Sequence, residues 1–355
     1  MSFDSIYKNE PYFFEIEKDT FEGGDEIVFE ILKNAAIDPS NFSISFVASN
    51  QDYDVYRADS ENNSYCIKYS MDSKNSSIKR EFDILNLLPN YSTAKAAHYG
   101  SKVFGDTIHY SIISFEKAFD LKSLGISLIM ENLDEFFIKY NSLQQENLQL
   151  RSYNEHLNDF LNSVNINNLP QESIEAIESF SDLNLIKQTI KSVEEELFVL
   201  SDPKVVRKNS LCHGRLKASN ILFNRGTFKF VDFTESYLGN VYLDLSAFCI
   251  YSGFNEEQER FFLDCFIKSN GKTPCQQDYF EYEVCNQISQ RKIFLEILTQ
   301  YLKEVYVFSS SRPMKILDLI DLFARNNNKF FKIASVKKHY EFIYKSILEP
   351  VLSFK

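Results

Sequence analysis

The sequence predicts an α+β chain built as two lobes: a small N-terminal antiparallel sheet with a helix, and a larger, mostly helical C-terminal part. Three observations lead there. Short β-rich runs separated by polar turns fill residues 43 to 114. Apolar residues at helical spacing dominate residues 126–200 and 247–355. Between those helical stretches lies one compact β-hairpin, Ile221 to Val231, bracketed by Asn220 and Asp232. At 355 residues the chain exceeds one average domain, and the expected division is 1–118 and 119–355.

Residues 1–24 have weak periodicity and end at Gly23-Gly24. Asp25 is placed to cap a helix carrying Ile27, Phe29, Ile31 and Leu32, which Pro39-Ser40-Asn41 ends. Ser43–Val47 and Val55–Ala58 read as two strands around the glycine-free turn Ser49-Asn50-Gln51-Asp52. Tyr65–Tyr69 is the next strand. Alternation puts Cys66 and Lys68 on one face and Tyr65, Ile67 and Tyr69 on the other. A helix follows from Ser76 or Ser77 to Pro89, with Ile78, Phe82, Leu85 and Leu88 as its apolar stripe. Glu81 lies inside that stripe. A carboxylate on a buried face needs a cation, and Lys68 is the nearest candidate.

Ala96–Tyr99 and Thr107–Ser114 read as further strands, and Glu116–Leu124 as a connector. Beyond it, a polar break at 162–171 divides the first helical stretch, and Glu194-Glu195-Glu196 reads as a solvated face. The last hundred residues hold four or five amphipathic helices, among them Gln258–Lys268 and Arg291–Val307. The aromatic run Phe330–Tyr344 is expected in the core.

The motif-bearing stretch is Leu211–Ser246. It reads His213-Gly214-Arg215, then Lys217, then Asn220, then the hairpin, then Asp232-Phe233, and later Asp244. This arrangement resembles the catalytic core of the aminoglycoside phosphotransferase and choline kinase family, the small-molecule branch of the protein-kinase-like fold. The resemblance implies that Asn220 and Asp232 hold magnesium and that Lys68, paired with Glu81, holds the phosphates of ATP. It implies that His213 braces the loop, and that residues 115–124 form the interlobe hinge. Lys217 matches a loop lysine that reaches the γ-phosphate in protein kinases. The inserted helices would shape the pocket of a small-molecule acceptor.

One position departs from the pattern. Arg215 stands where the family carries its catalytic aspartate. A guanidinium has no lone pair to accept the proton of an attacking hydroxyl. Losing general-base help costs about 10²–10⁴ in rate. The charge reversal also acts on phosphate and metal; at ~4 Å and an effective dielectric of 20, each unit pair is worth about 4 kcal/mol before solvation. The expected protein is therefore a nucleotide-binding pseudokinase, in which Arg215→Asp would restore the base. An active ATP-dependent kinase and a scaffold, with a protein partner in place of the acceptor, are the alternatives. Glu235 is a possible substitute carboxylate, though a surface role is commoner.

Composition narrows the partners. Formal charge is 38 − 50 = −12, with no basic block to track a nucleic acid. No run approaches the 18 apolar residues of a membrane span, and no signal peptide is visible. Six scattered cysteines without a C-x-x-C pair are expected to be reduced, in a cytoplasmic setting.

Overall fold

A computed structural model describes residues 24–49, 53–61, 63–71, 77–104, 106–114, 119–120, 124–144, 148–169, 171–180, 182–206, 208–304, 313–343 and 345. The chain forms two compact units. One takes residues 1–143 with 219–234, the other 144–218 with 235–355.

In the first unit, β1 (Ser43–Ser49), β2 (Asp54–Asp59), β3 (Ser64–Ser70), β4 (Ala96–Phe104) and β5 (Asp106–Ser114) pair in the order β1-β2-β3-β5-β4. Every pairing is antiparallel. Period-two alternation sorts the two faces. Tyr56, Ala58, Ile67, Tyr69, Ile108, Tyr110 and Ile112 point to one side, where Val28, Ile31 and Leu32 of α1 (Gly24–Asn34) seal them into a core. Lys68 lies in the opposite register, with α2 (Ser77–Leu87), whose Ile78, Glu81, Ile84 and Leu85 are buried. α1 begins a residue before the expected cap, so Asp25 falls inside its first turn. The glycine-free turn at 50–52 and most of the hinge segment, residues 115–118 and 121–123, lie outside the described residues.

The same unit holds α3 (Ser127–Glu131), α4 (Leu133–Asn141) and a small sheet, β6 (Phe119–Asp120), β8 (Ile221–Asn224) and β9 (Thr227–Phe230), in the order β6-β8-β9. Arg225 and Gly226 turn the hairpin with φ of 49° and 84°. Positive φ at both central residues gives the turn the twist that two paired strands need. Phe228 and Phe230 anchor it edge-on against Phe136 of α4.

The second unit pairs β7 (Ser210–Cys212) with β10 (Tyr237–Gly239) and is otherwise helical. Its helices are α5 (Tyr153–Ser163), α6 (Gln171–Phe180), α7 (Leu183–Leu200), α8 (Pro203–Val206), α9 (Val241–Ser252), α10 (Glu256–Ser269), α11 (Gln276–Glu304), α12 (Pro313–Phe331) and α13 (Ala334–Ile343). Capping boxes start α5 at Ser152 with Glu155, and α10 at Asn255 with Gln258. Two expectations change. α11 begins at Gln276, well before the expected Arg291, and the expected end at Val307 lies outside the described residues. Glu196 is not simply solvated: its Oε2 lies 2.7 Å from the Arg291 guanidinium. Phe330 is buried with Ile333, Val336 and Ile343, but Phe331 is exposed and Phe342 half-buried, so the aromatic run is core only in part. All six cysteines are free, three of them buried and Cys275 exposed. Among the described residues no helix is long and apolar enough to cross a membrane.

Candidate active site

β3 delivers Lys68 and α2 delivers Glu81 to one buried point of the first unit. The Lys68 Nζ is 2.8 Å from Glu81 Oε2 and 2.8 Å from Asp232 Oδ1. Glu81 is almost wholly buried, and Asp232 keeps about a quarter of its side chain exposed. Glu81 also accepts the Phe233 N–H at 3.2 Å, tying α2 to the segment after the hairpin. Arg80, one residue earlier, donates to the Thr234 carbonyl at 2.8 Å. Burial opposes the Lys68 ammonium, yet the carboxylates of Asp232 and Glu81 together hold its pKa well above the ordinary value. Burial pushes the Glu81 carboxyl up, against the pull of Lys68.

Asp232 has a left-handed backbone, φ 68°. That conformation turns the chain sharply as it leaves β9, and aspartate tolerates it better than most residues. The Thr234 hydroxyl donates to Asp232 Oδ1 at 3.1 Å, and the Tyr53 hydroxyl approaches the same oxygen at 3.5 Å. The Tyr53 ring lies 5.2 Å from the Lys68 ammonium, and burial pushes its phenol up to about 12. Asn220 is buried, and its carbonyl accepts the Val231 N–H at 3.0 Å across the root of the hairpin. Lys68, Glu81 and Asp232 thus come together, with Asn220 at the same end of the hairpin. Among the described residues no cluster of three His, Cys, Asp or Glu could hold a metal by itself. Asn220 and Asp232 supply hard oxygen donors, a set that suits magnesium, which takes one or two protein oxygens and completes its shell with phosphate and water.

The motif loop belongs to the second unit. His213 and Gly214 donate their N–H groups to the two oxygens of the buried Asp244, and Ser236 donates to the His213 carbonyl at 3.1 Å. Gly214 has φ 84°, and a Cβ there would sit 2.2 Å from the Glu235 carbonyl oxygen. No side chain fits without moving backbone. Gly214→Ala is expected to destabilise the protein by about 1–3 kcal/mol, lowering the thermal midpoint by several degrees in calorimetry. An unchanged midpoint would mean the loop is not held this way.

Arg215 and Lys217 are both half-buried on that loop. The Arg215 guanidinium is 3.1 Å from Glu296 Oε1, and the Tyr251 hydroxyl donates to Glu296 Oε2 at 2.7 Å. Burial raises the Glu296 pKa, but Arg215, Tyr251 and Lys217 outweigh it and hold the carboxyl below its ordinary value. Glu235 is engaged by Arg151, which donates to its carboxylate at 2.7 Å and to its carbonyl at 3.0 Å. Sequence reasoning missed Glu296. Its signal was visible: a lone carboxylate within Ile293-Phe294-Leu295 and Ile297-Leu298 demands a partner.

The model of the ecdysteroid kinase-like family matches residues 124–268. No curated protein matches the chain. Among solved structures, a thermostable mutant of aminoglycoside phosphotransferase APH(4)-Ia has 12% identity and a TM-score of 0.55, covering 86% of this chain and 98% of that one. Choline kinase LicA from Streptococcus pneumoniae has 15% identity and a TM-score of 0.51, covering 86% and 99%. Amicoumacin kinase hAmiN, in complex with AMP-PNP, Ca2+ and Ami, has 15% identity and a TM-score of 0.54, covering 86% and 96%. At such identities the likeness is one of architecture. The chain has the bilobal protein-kinase-like fold of these small-molecule kinases, with a five-stranded antiparallel sheet in one lobe and helices filling most of the other.

Proposed function

We propose that this chain binds a nucleoside triphosphate through Lys68, Glu81, Asn220 and Asp232 and transfers its phosphate very weakly or not at all. The observation that carries the second half is Arg215: the residue in the base position is a cation, and its guanidinium is ion-paired with Glu296. The first half is supported by the buried Lys68–Glu81–Asp232 group and by the nucleotide analogue bound to amicoumacin kinase. Lys68 would bind the α- and β-phosphates. Magnesium, held by Asn220 and Asp232, would neutralise phosphate charge. Lys68 is already shared between Glu81 and Asp232, so phosphate oxygens would compete with two carboxylates for its ammonium.

Glu296 favours a second reading. As an ionised carboxylate beside Arg215, it could orient the hydroxyl of a small-molecule acceptor in an active kinase, since positioning and charge supply most of phosphoryl-transfer catalysis.

Thermal unfolding with ATP and magnesium separates these readings from a scaffold role. Saturation at about 100 times the dissociation constant stabilises by about 2.7 kcal/mol. A midpoint that does not rise at millimolar ATP, with or without magnesium, would defeat nucleotide binding. Sustained release of phosphate by the wild type at ordinary kinase rates would replace the first reading by the second.

A further inference from the structure

The C-terminal half of α11 is enclosed within the second unit. From Ile288 to Leu302 every residue is buried except Lys292, Glu296 and Gln300, which are half-buried. Spaced four apart, these three share one face, so a single polar stripe opens the helix to its surroundings. Glu296 on this stripe is accounted for by Arg215 and Tyr251. Lys292 is not.

The Lys292 ammonium has no carboxylate within ion-pair distance among the described residues. Its Nζ is instead 2.8 Å from His156 Nε2 of α5. Two rings flank it, Phe160 at 5.2 Å and Tyr237 at 5.8 Å from ring centre. His156 is itself stacked on Tyr237, with centroids 4.1 Å apart and planes 12° from parallel. The His156 Nδ1 side looks toward Glu235, 3.8 Å away, which Arg151 holds. A lysine bound as a structural cation would be given a carboxylate; this one has aromatic walls and a ring nitrogen of His156. The charged groups around it are Glu235, Glu296, Arg151 and Asp244. Burial outweighs the acidic ones and lowers its pKa to about 8. An amine desolvated in this manner is the kind enzymes use to attack carbonyl groups.

We propose that Lys292 is a nucleophilic amine that forms an imine with an aldehyde. The neutral Nζ attacks the carbonyl carbon, a C–N bond forms, and the C=O π pair moves to oxygen. His156 takes a proton from the nitrogen and returns it to that oxygen. The carbinolamine then loses water to give the imine. No oxidant or reductant is needed, and the aldehyde is the only co-reactant. The Lys292 site stands apart from the nucleotide reading.

Reductive alkylation of the full chain tests it. The probe is propanal, which is neutral and so is not steered to a phosphate site, with cyanoborohydride to trap the imine. Peptide mass spectrometry then reads the rate at each lysine. Lys292 is expected to be alkylated at least ten times faster than the exposed Lys272 and Lys332, with a pH midpoint near 8. His156→Phe keeps a ring against Tyr237, removes the proton acceptor, and should slow Lys292 several-fold. Alkylation of Lys292 no faster than of Lys272 would overturn the proposal. An undiminished rate in a folded His156→Phe variant would remove His156 from it.

Discussion

Replacing Lys68 by methionine is expected to cost about 3–5 kcal/mol of unfolding free energy, because it removes the cation from between two carboxylates and leaves Glu81 buried without a counter-charge. Chemical denaturation measures this directly. The deficit should depend on pH with a definite sign. Glu81 already titrates above its ordinary value, and without Lys68 it would titrate higher still. A carboxyl whose folded pKa lies above its unfolded one contributes stability below the unfolded pKa and loses it as pH rises. The gap between variant and wild type should therefore narrow as the solution is acidified from neutrality. A loss below about 1 kcal/mol would mean the group is less isolated from water than its burial indicates. In the same variant, any ATP-induced rise in midpoint should vanish.

The second large effect concerns the loop. Sequence alone suggests that Arg215→Asp restores the missing base. The structure adds Glu296, and with it a reason for the single change to fail. An aspartate at 215 would face a carboxylate that Arg215 now neutralises, and two carboxylates sharing a site cannot both ionise freely. Arg215→Asp is accordingly expected to leave ATP turnover near the wild-type level. Combined with Glu296→Gln, it should gain a measurable part of the 10²–10⁴ that a positioned base contributes, about two to four decades at most. A coupled assay of ADP release, with water as acceptor, compares all four proteins. If the single variant gains as much as the double, Glu296 has no hold on position 215. If Glu296→Gln alone abolishes an existing turnover, Glu296 is the working carboxylate.

The strands were legible because their turns carry unambiguous residues and their alternation places Ile67 and Tyr69 opposite Lys68. Glu81 was legible for the same physical reason as Glu296, a carboxylate on an apolar face, but the cation nearest Glu296 in sequence, Lys292, is not the one that pairs with it. Arg215 and Glu296 are 81 residues apart, and no periodicity links them. Lys292 and His156 are 136 apart and meet only because α5 and α11 pack in the second unit. The long α11 was underestimated for a related reason. Its N-terminal half is polar on several sides, so the helical period is visible only after Arg291. Arg151, which clamps the Glu235 backbone, gave no local sign at all.

The backbone at Asp232 has a consequence for anyone who sets out to dissect this protein. Left-handed φ is open to glycine and, through local hydrogen bonds of its short polar side chain, to asparagine, but it burdens alanine, which bears the Cβ and has no such bond to offset it. An alanine at 232 would therefore conflate two injuries, a lost carboxylate and a strained turn. Asparagine preserves the turn while deleting the charge, and it is the informative substitution.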